Sequence, residues 1–287
     1  MLLRPPNVMP PAASSDGPAS PAPTYDLSYR DVFWRDRAYE DRCDRLALRW
    51  MLPGSGRHLL DLGAGFGRLI DEYGSFDMVT LVDASPVMLD AARHRAGEDR
   101  RFAFVLAPAD RLPIPDDSVD VVVAIRLLVH LEDPGPVFRE IARVLRPGGR
   151  CIIEFANRRH ILALLRRAAG RQSWSPRGAG AQQYFPGHFA HQPTTVRRQL
   201  HDAGLQPVTI RAVSMFRLAW LKKLFGPLRL AALDGWLQGP MGRFVLSPSV
   251  FVASVRSEPT QVRETLRAVD PAARPAVAVG ALGRSEE

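Results

Sequence analysis

Apolar residues follow two different spacings along this chain, and the two alternate. Short apolar runs, typical of buried strands, recur between residues 57 and 255. The stretches between them place apolar residues three or four positions apart, as one face of a helix requires. Strands that alternate with helices predict an α/β fold with a largely parallel sheet covered on both faces. The predicted strands are 57–62, 78–83, 102–106, 119–125, 150–155, 206–213 and 249–255.

A helix is predicted ahead of the first strand. Apolar residues recur with helical spacing over residues 37–52, and the chain then reaches Pro53 and Gly54, which end a helix. The expected inner face of this helix consists of Tyr39, Cys43, Leu46, Ala47 and Trp50.

A glycine-rich turn follows the first predicted strand. Gly63, Gly65 and Gly67 lack a Cβ, so they allow a tight turn and the close approach of a ligand. Helical spacing resumes at once and predicts a helix over residues 66–74. A strand, a glycine turn and a helix are typical of a nucleotide pocket at the carboxyl end of a parallel sheet.

Two acids indicate which kind of nucleotide fits. Arg68 occupies the place of the third glycine of the dinucleotide motif G-x-G-x-x-G. Asp61 precedes the turn, where a carboxylate repels a pyrophosphate and attracts a cation. Asp83 ends the second predicted strand, where an acid accepts hydrogen bonds from ribose hydroxyls. The pattern favours an adenosine-like ribose joined to a cationic group and disfavours the alternative, an NAD-dependent oxidoreductase.

The run D-x-G-x-G-x-G at residues 61–67, with Asp83 after it, resembles the class I S-adenosylmethionine-dependent methyltransferases. The resemblance extends over residues 35–256. It implies a doubly wound, Rossmann-like sheet of seven strands, mostly parallel with strand seven antiparallel, with helical inserts before strands six and seven. It also implies S-adenosylmethionine as cofactor. The further motifs that carry it are 109–113, 118–125, 145–149 and 203–205.

The resemblance assigns roles to individual residues. Asp83 would bind the ribose hydroxyls and Asp110 the adenine, although a solvated loop acid is the alternative for Asp110. Asp120, inside the fourth strand, is expected to make a structural pair. The residues that the resemblance places around the cofactor are Asp61, Gly63, Gly65, Gly67, Asp83, Asp110 and Ile125.

A general base for the acceptor is sought among four side chains, His130, Tyr184, His188 and His191. His130 follows the fourth strand, near the expected cleft, and an imidazole can exchange protons near neutral pH. We therefore take His130 as the candidate catalytic residue. The alternative, which is favoured for a single histidine, is a structural role fixed by a backbone carbonyl. Tyr39 could close over the cofactor, but packing is its expected role.

Basic residues are concentrated in one part of the chain. The formal net charge is +8, and residues 158–233 carry thirteen Lys or Arg and one acid, Asp202. This excess favours an anionic partner: a phosphorylated or carboxylated small molecule, an anionic lipid surface, or RNA. A solvated basic face is the alternative. Nucleic acid is the less favoured partner, although an RNA-binding protein or RNA methyltransferase stays open.

Two inserts separate the later strands, at 157–192 and 215–246. The second contains Phe216, Trp220 and Leu224 near two lysines. Apolar residues beside cations suggest a membrane-surface helix or a lid over a lipid-linked acceptor. Packing of these residues on the domain core is the favoured alternative.

Other features of the sequence argue against a membrane-spanning protein and against a metal site. No run of about 18 apolar residues indicates a membrane span, and no His, Cys or Asp cluster has metal-ligand spacing, so no metal is predicted. Cys43 and Cys151 are expected to be packing residues, and the cytoplasm is the expected compartment. Residues 1–25 and 257–287 are predicted to be disordered tails around a domain at 26–256.

Overall fold

The computed structural model describes residues 34–257, and its main sheet has seven strands. The predicted tail 1–25 lies outside the described residues, as does the predicted tail 257–287 beyond its first residue. The strands are β1 (Gly56–Leu62), β2 (Phe76–Asp83), β3 (Phe102–Leu106), β4 (Val119–Ala124), β5 (Leu145–Ala156), β6 (Gln182–Phe185), β7 (His188–Ala190), β8 (Leu205–Val213) and β9 (Ser249–Arg256). The helices are α1 (Ala38–Met51), α2 (Pro86–Ala96), α3 (Gly135–Val144), α4 (Ile161–Ala168), α5 (Pro193–Asp202), α6 (Ala219–Phe225) and α7 (Pro227–Gly242).

The main sheet has the order β3-β2-β1-β4-β5-β9-β8. Pairing is parallel from β3 to β5, whereas β9 runs antiparallel to both of its neighbours. The predicted mostly parallel α/β sheet with an antiparallel seventh strand is therefore confirmed. The largest difference in a strand boundary is at β5, which begins at Leu145 because Val119 pairs with Leu145 ahead of a bulge.

Alternate residues of the central strands pack on opposite faces of the sheet, as the pleat requires. Leu59 belongs to one apolar cluster with residues of α1 and α7. Its neighbour Leu60 belongs to a second cluster with residues of α3 and α5. The two clusters make the sheet doubly wound, which leaves the carboxyl ends of the parallel strands as the place for a ligand.

The predicted helix over residues 66–74 is wrong. The chain instead makes turns and a short 3₁₀ segment, Ile70–Glu72. Gly67 has φ +72, a conformation that interrupts an α-helix, and Arg45 donates to the Arg68 carbonyl at 2.5 Å, the group that Glu72 N–H would use in a helix. The Glu72 N–H bonds to Leu69 O instead, at 2.9 Å. The apolar side chains of the segment are nevertheless buried as predicted.

The predicted inner face of α1 is partly wrong. Tyr39, Cys43 and Ala47 are buried, but Trp50 is 70% exposed. The buried side of the helix is centred nearer to Met51, so Trp50 stands at its edge, with the Arg211 guanidinium 5.0 Å from its ring.

The two inserts contain helices, as predicted, and the first also contains a hairpin that was not predicted. The first forms α4 and the β6–β7 hairpin, whose strands pair antiparallel. The second forms α6 and α7, of which α7 packs against α1 and β8. Within residues 34–257, none of the helices combines the length and apolar character needed to cross a bilayer.

Candidate active site

The glycine turn forms an open cradle at the carboxyl ends of β1 and β2. The N–H groups of Gly63 and Ala64 donate to the Val82 carbonyl, at 2.8 and 3.0 Å, and tie the turn to β2. Gly63, Gly65 and Gly67 all have positive φ, a conformation that favours glycine. A Cβ at Gly65 would meet nothing within 4 Å, so the cradle is open at this position.

Asp83 lies directly beside this cradle. Its carboxylate accepts the Gly65 N–H at 2.8 Å through one oxygen and the Ser85 N–H at 2.9 Å through the other. Burial raises the pKa of Asp83, and backbone hydrogen bonds from Ser85, Gly65 and Ala84 oppose that rise. A carboxylate has about four acceptor sites, so these three backbone donors leave Asp83 with capacity to accept a ligand hydroxyl.

Asp61 is a buried acid behind the same turn. It accepts a hydrogen bond from the Tyr73 hydroxyl at 2.8 Å. Burial raises its pKa to about 7, and the Tyr73 hydrogen bond and the Arg68 charge act in the opposite direction. Because an opposite charge favours the ionised form, a cation bound nearby would ionise Asp61 at neutral pH.

Asp110 and Ile125 occupy different environments. Asp110 is exposed in the turn after β3, and the Ala107 N–H at the start of that connection donates to the Asp83 carbonyl at 3.1 Å. This bond brings the carboxyl end of β3 beside Asp83. Ile125 is buried in the apolar cluster that includes Ala64 of the glycine turn, so it supports the cradle by packing.

A buried charge network, absent from the sequence predictions, fixes the ends of β4 and β5. Arg126 follows β4 with φ +63. Its guanidinium donates to both oxygens of Asp44, at 3.2 and 2.9 Å, and its N–H donates to Glu154 at 3.1 Å. Asp44 also accepts from Arg68 at 3.0 Å. The sequence does contain a signal for Asp44 and Glu154. Each is an acidic residue at a position where the apolar pattern predicts an inward-facing side chain.

The four candidate bases do not share one role. His130 ends the 3₁₀ segment Leu128–His130, and its ring centroid lies 4.9 Å from that of His188. The Tyr184 ring is 6.2 Å from the His188 ring, so three candidates meet at the β6–β7 hairpin. His191 instead donates to the Leu128 carbonyl at 2.8 Å, which is a structural role.

Burial and the neighbouring His188 lower the pKa of His130 to about 4, and a hydrogen bond with the Gly187 backbone opposes them. At neutral pH His130 is therefore an uncharged imidazole that can accept a proton but holds it weakly. A base this weak could take a proton from an acidic group but not from an ordinary alcohol.

Other sequence predictions concern residues outside the cradle. Asp120 makes the expected structural pair, since it accepts from the Arg57 and His58 N–H groups and from Arg146. Burial raises the pKa of the Cys151 thiol to about 12. Among residues 34–257, no three His, Cys, Asp or Glu side chains are grouped to hold a metal.

Comparison with known proteins shows which family has this fold and cradle. A profile described as a methyltransferase domain matches residues 60–153. The 27-O-demethylrifamycin SV methyltransferase of Amycolatopsis mediterranei is 35% identical over 215 residues, which cover 70% of this chain and 76% of that protein. The chain is a member of the class I S-adenosylmethionine-dependent methyltransferases.

Two further similarities differ in extent. An uncharacterized methyltransferase of Mycobacterium tuberculosis is 40% identical over 105 residues, covering 36% of this chain and only 42% of that relative's length. The structure of an S-adenosylmethionine-dependent methyltransferase from Thermotoga maritima has a TM-score of 0.54 at 17% identity, covering 80% of this chain and 99% of the other. This second similarity concerns the fold alone.

Proposed function

We propose that this protein transfers a methyl group from S-adenosylmethionine to a small-molecule acceptor that carries an anionic or acidic group. The observation that carries the proposal is the open glycine cradle between two carboxyl groups, Asp61 behind it and Asp83 beside it. The relative that matches over most of its length is named for a small molecule, rifamycin, which supports this class of acceptor.

The residues of the cradle fit the cofactor. The remaining acceptor capacity of Asp83 suits a ribose hydroxyl, and the open face of Gly65 leaves room for the ligand. Asp61 would balance positive charge, and Asp110, on the turn beside Asp83, is the candidate for the adenine. When bound, S-adenosylmethionine supplies an electrophilic methyl group. The chain's own task is then to orient the acceptor, exclude water and accept a proton, and positioning alone can lower a barrier by several kcal/mol.

His130 is the proposed proton acceptor. It is uncharged at neutral pH and borders the hairpin that carries Tyr184 and His188. With its low pKa, His130 suits an acceptor oxygen that is already acidic, such as a phenol. This agrees with an acceptor of anionic character.

Calorimetry tests the cofactor site directly. We expect the purified chain to bind S-adenosylhomocysteine, and Asp83→Asn to weaken this binding at least tenfold. Asp90→Asn, at an exposed acid of α2 that pairs only with Arg93 among the contacts described, is the matched control and should bind like wild type. Tighter binding of NAD than of S-adenosylhomocysteine would overturn the proposal. Mass spectrometry of small-molecule extracts incubated with the labelled methyl donor then searches for the product.

A specific observation also favours a lipid surface as partner. Helix α6 buries none of its residues: Trp220 is 61% exposed and Leu224 is 68% exposed. The favoured alternative, core packing, is therefore wrong for these two residues, although Phe216 does pack against the core. Lys223 is exposed beside them, whereas Lys222 donates to Glu40 at 2.5 Å. We propose that α6 contacts an anionic bilayer, which would give access to a lipid-linked acceptor.

Vesicle sedimentation separates this surface from a chance apolar patch. Vesicles rich in phosphatidylserine should bind the chain, and Trp220→Ala or Lys223→Ala should weaken binding. Val208→Ala removes an exposed apolar side chain from β8 and is the control. Equal binding to neutral vesicles, or equal effects of the control, would contradict the proposal.

A further inference from the structure

A shielded arginine lies near the carboxyl end of the sheet without hydrogen-bond partners for two of its nitrogens. Arg217 follows β8, and its Nε and Nη2 atoms are removed from solvent and donate to no protein atom. Burial and the nearby Arg126 lower the pKa of Arg217, while the carboxylates of Glu40, Glu154 and Asp44 act in the opposite direction. Leaving such donors unpaired is costly, so the arrangement calls for an acceptor.

The acids around Arg217 already have partners. Asp44 accepts from Arg68 and Arg126. Glu154 accepts from the Ser249 hydroxyl at 2.6 Å as well as from the Arg126 backbone. Glu40 accepts from Lys222 through one oxygen, and its other oxygen, Oε2, is buried without a partner. Glu40 is therefore the one neighbouring acid that offers a competing interpretation, a structural ion pair with Arg217.

The backbone that carries Arg217 is held in place. Asp234 of α7 accepts the N–H groups of Ser214 and Met215, at 3.2 and 2.7 Å. The Tyr39 hydroxyl of α1 accepts the Phe216 N–H at 2.8 Å. Since the segment before Arg217 is bonded on both sides, the guanidinium is presented from a rigid element, as a binding residue should be.

Further charged and polar groups lie near Arg217 at the carboxyl edge of the sheet. The phenol of Tyr184, on the hairpin, has its pKa raised by burial and by Glu154 and lowered by Arg217, Arg126 and Arg37, so all three arginines are near it. Arg126 marks the carboxyl end of β4. Ligands of open α/β sheets bind at this edge. The hairpin, the end of β4 and the segment after β8 thus bring a phenol and cations together at this edge.

We propose that the Arg217 guanidinium binds an anionic oxygen group of the methyl acceptor, a carboxylate or a phosphate. Arginine suits both because its planar fork matches two oxygens. The inference rests on the proposed function and deepens it, because it assigns the acceptor's charge to one residue. Arg217 is a substrate-binding residue in this view, separate from the cofactor cradle at Asp61 and Asp83.

Probe anions test the site without a known acceptor. At constant ionic strength, phosphate or benzoate should raise the melting temperature of the chain saturably, since a ligand that binds the native state stabilises it. The probe that raises the melting temperature at the lower concentration shows whether the site prefers a phosphate or a carboxylate. Arg217→Gln should weaken the probe's apparent affinity roughly tenfold to a hundredfold, as loss of charge-assisted hydrogen bonds predicts. The apparent affinity of Arg217→Lys for the probe should lie between those of wild type and Arg217→Gln.

Two controls make the outcome decisive. Arg211→Gln alters another arginine with an unpaired buried Nε, on the outer groove near Trp50, and should leave the probe's effect unchanged. Without anions, Arg217→Gln should melt no lower than wild type, whereas a structural ion pair with Glu40 predicts a lower melting temperature. A lower value, or an anion effect that persists in Arg217→Gln, overturns the inference. Binding of S-adenosylhomocysteine by Arg217→Gln should match wild type, and its absence in wild type would instead contradict the proposed function.

Discussion

The Tyr39 hydroxyl donates a hydrogen bond of 2.7 Å to the Asp234 carboxylate, 195 positions away in the chain. Tyr39 is buried in α1, and Asp234 is buried in α7. The same hydroxyl accepts the Phe216 N–H, so one side chain joins α1, α7 and the segment that leads to Arg217. The structure thus agrees with a packing role for Tyr39.

Tyr39→Phe should lower the free energy of unfolding by about 1–3 kcal/mol, because Asp234 and the Phe216 N–H each lose a buried partner. Urea denaturation measures the change. Tyr184→Phe removes a hydroxyl from a partly exposed ring and should change stability by less than about 0.5 kcal/mol. Similar small losses for both variants would show that the Tyr39 bonds contribute little.

Affinity for S-adenosylmethionine should increase as the pH rises from 6 to 8. Burial raises the pKa of Asp61 to about 7, so its anionic fraction grows across this range. If the bound cation requires the anion, the gain is about tenfold. Calorimetry at several pH values measures it, and Asp61→Asn should show a flat profile. A wild-type profile that is equally flat would exclude Asp61 from cation binding.

Without the cofactor, Asp61 should make the protein less stable as the pH rises, which is opposite in direction to its effect on cofactor binding. The folded state holds the Asp61 proton more tightly than the unfolded chain, whose carboxyl has a pKa near 3.8. This tighter binding of the proton therefore adds to the free energy of unfolding at low pH, and the gain is lost as the pH rises from about 4 through about 7. Tyr73→Phe removes the hydrogen bond that stabilises the Asp61 anion, so the pKa of Asp61 should rise further. The midpoint of the pH dependence of S-adenosylmethionine binding should then move to higher pH.

Asp44→Asn should destabilise the chain by about 3–5 kcal/mol, because it leaves the buried guanidinium groups of Arg68 and Arg126 without their shared anion. Thermal and urea unfolding measure this loss. Asp90→Asn breaks the exposed pair with Arg93 and should change stability by about 0–1 kcal/mol. Equal effects at the two sites would mean that the buried network is not required for stability.

The pH dependence of turnover tests His130 once an acceptor is found. With its pKa near 4, kcat should be nearly constant between pH 6 and 8. His188→Ala removes a neighbour that lowers the pKa of His130, so this pKa should rise. The acidic limb of the pH profile of kcat should then move to higher pH. His130→Gln should lower kcat with little change in KM. Unchanged kcat in this variant would assign His130 a structural role.

Local patterns predicted the parts of the structure that depend on neighbours in sequence. The parallel strands of the main sheet were recognisable because buried parallel strands are continuously apolar, and the glycine turn with Asp83 forms a short motif. The predicted helix over 66–74 is absent because Gly67 adopts φ +72, and Arg45, 23 residues before Arg68, bonds to the Arg68 carbonyl. Such a contact leaves no trace in local spacing.

The charge network was missed for the same reason. Arg126 and Asp44 are separated by 82 positions, and their pairing appears only once α1 lies across the sheet. Arg217 could be counted as part of a basic segment, but its lack of partners is a property of the folded chain. Composition therefore suggested an anionic partner, and only the three-dimensional arrangement suggested Arg217 as the residue to test for binding it.

The placement of β9 between β5 and β8 has a consequence for synthesis. Within the described sheet, β8 has no strand partner except β9, which is the last strand to leave the ribosome. The glycine cradle can assemble from β1, β2 and β4 beforehand, but β8 and the Arg217 segment must wait for the final strand. A nascent chain that ends before Ser249 can therefore pair β1 with β2 and β4 around the glycine turn, while β8 and the segment that carries Arg217 still lack their strand partner.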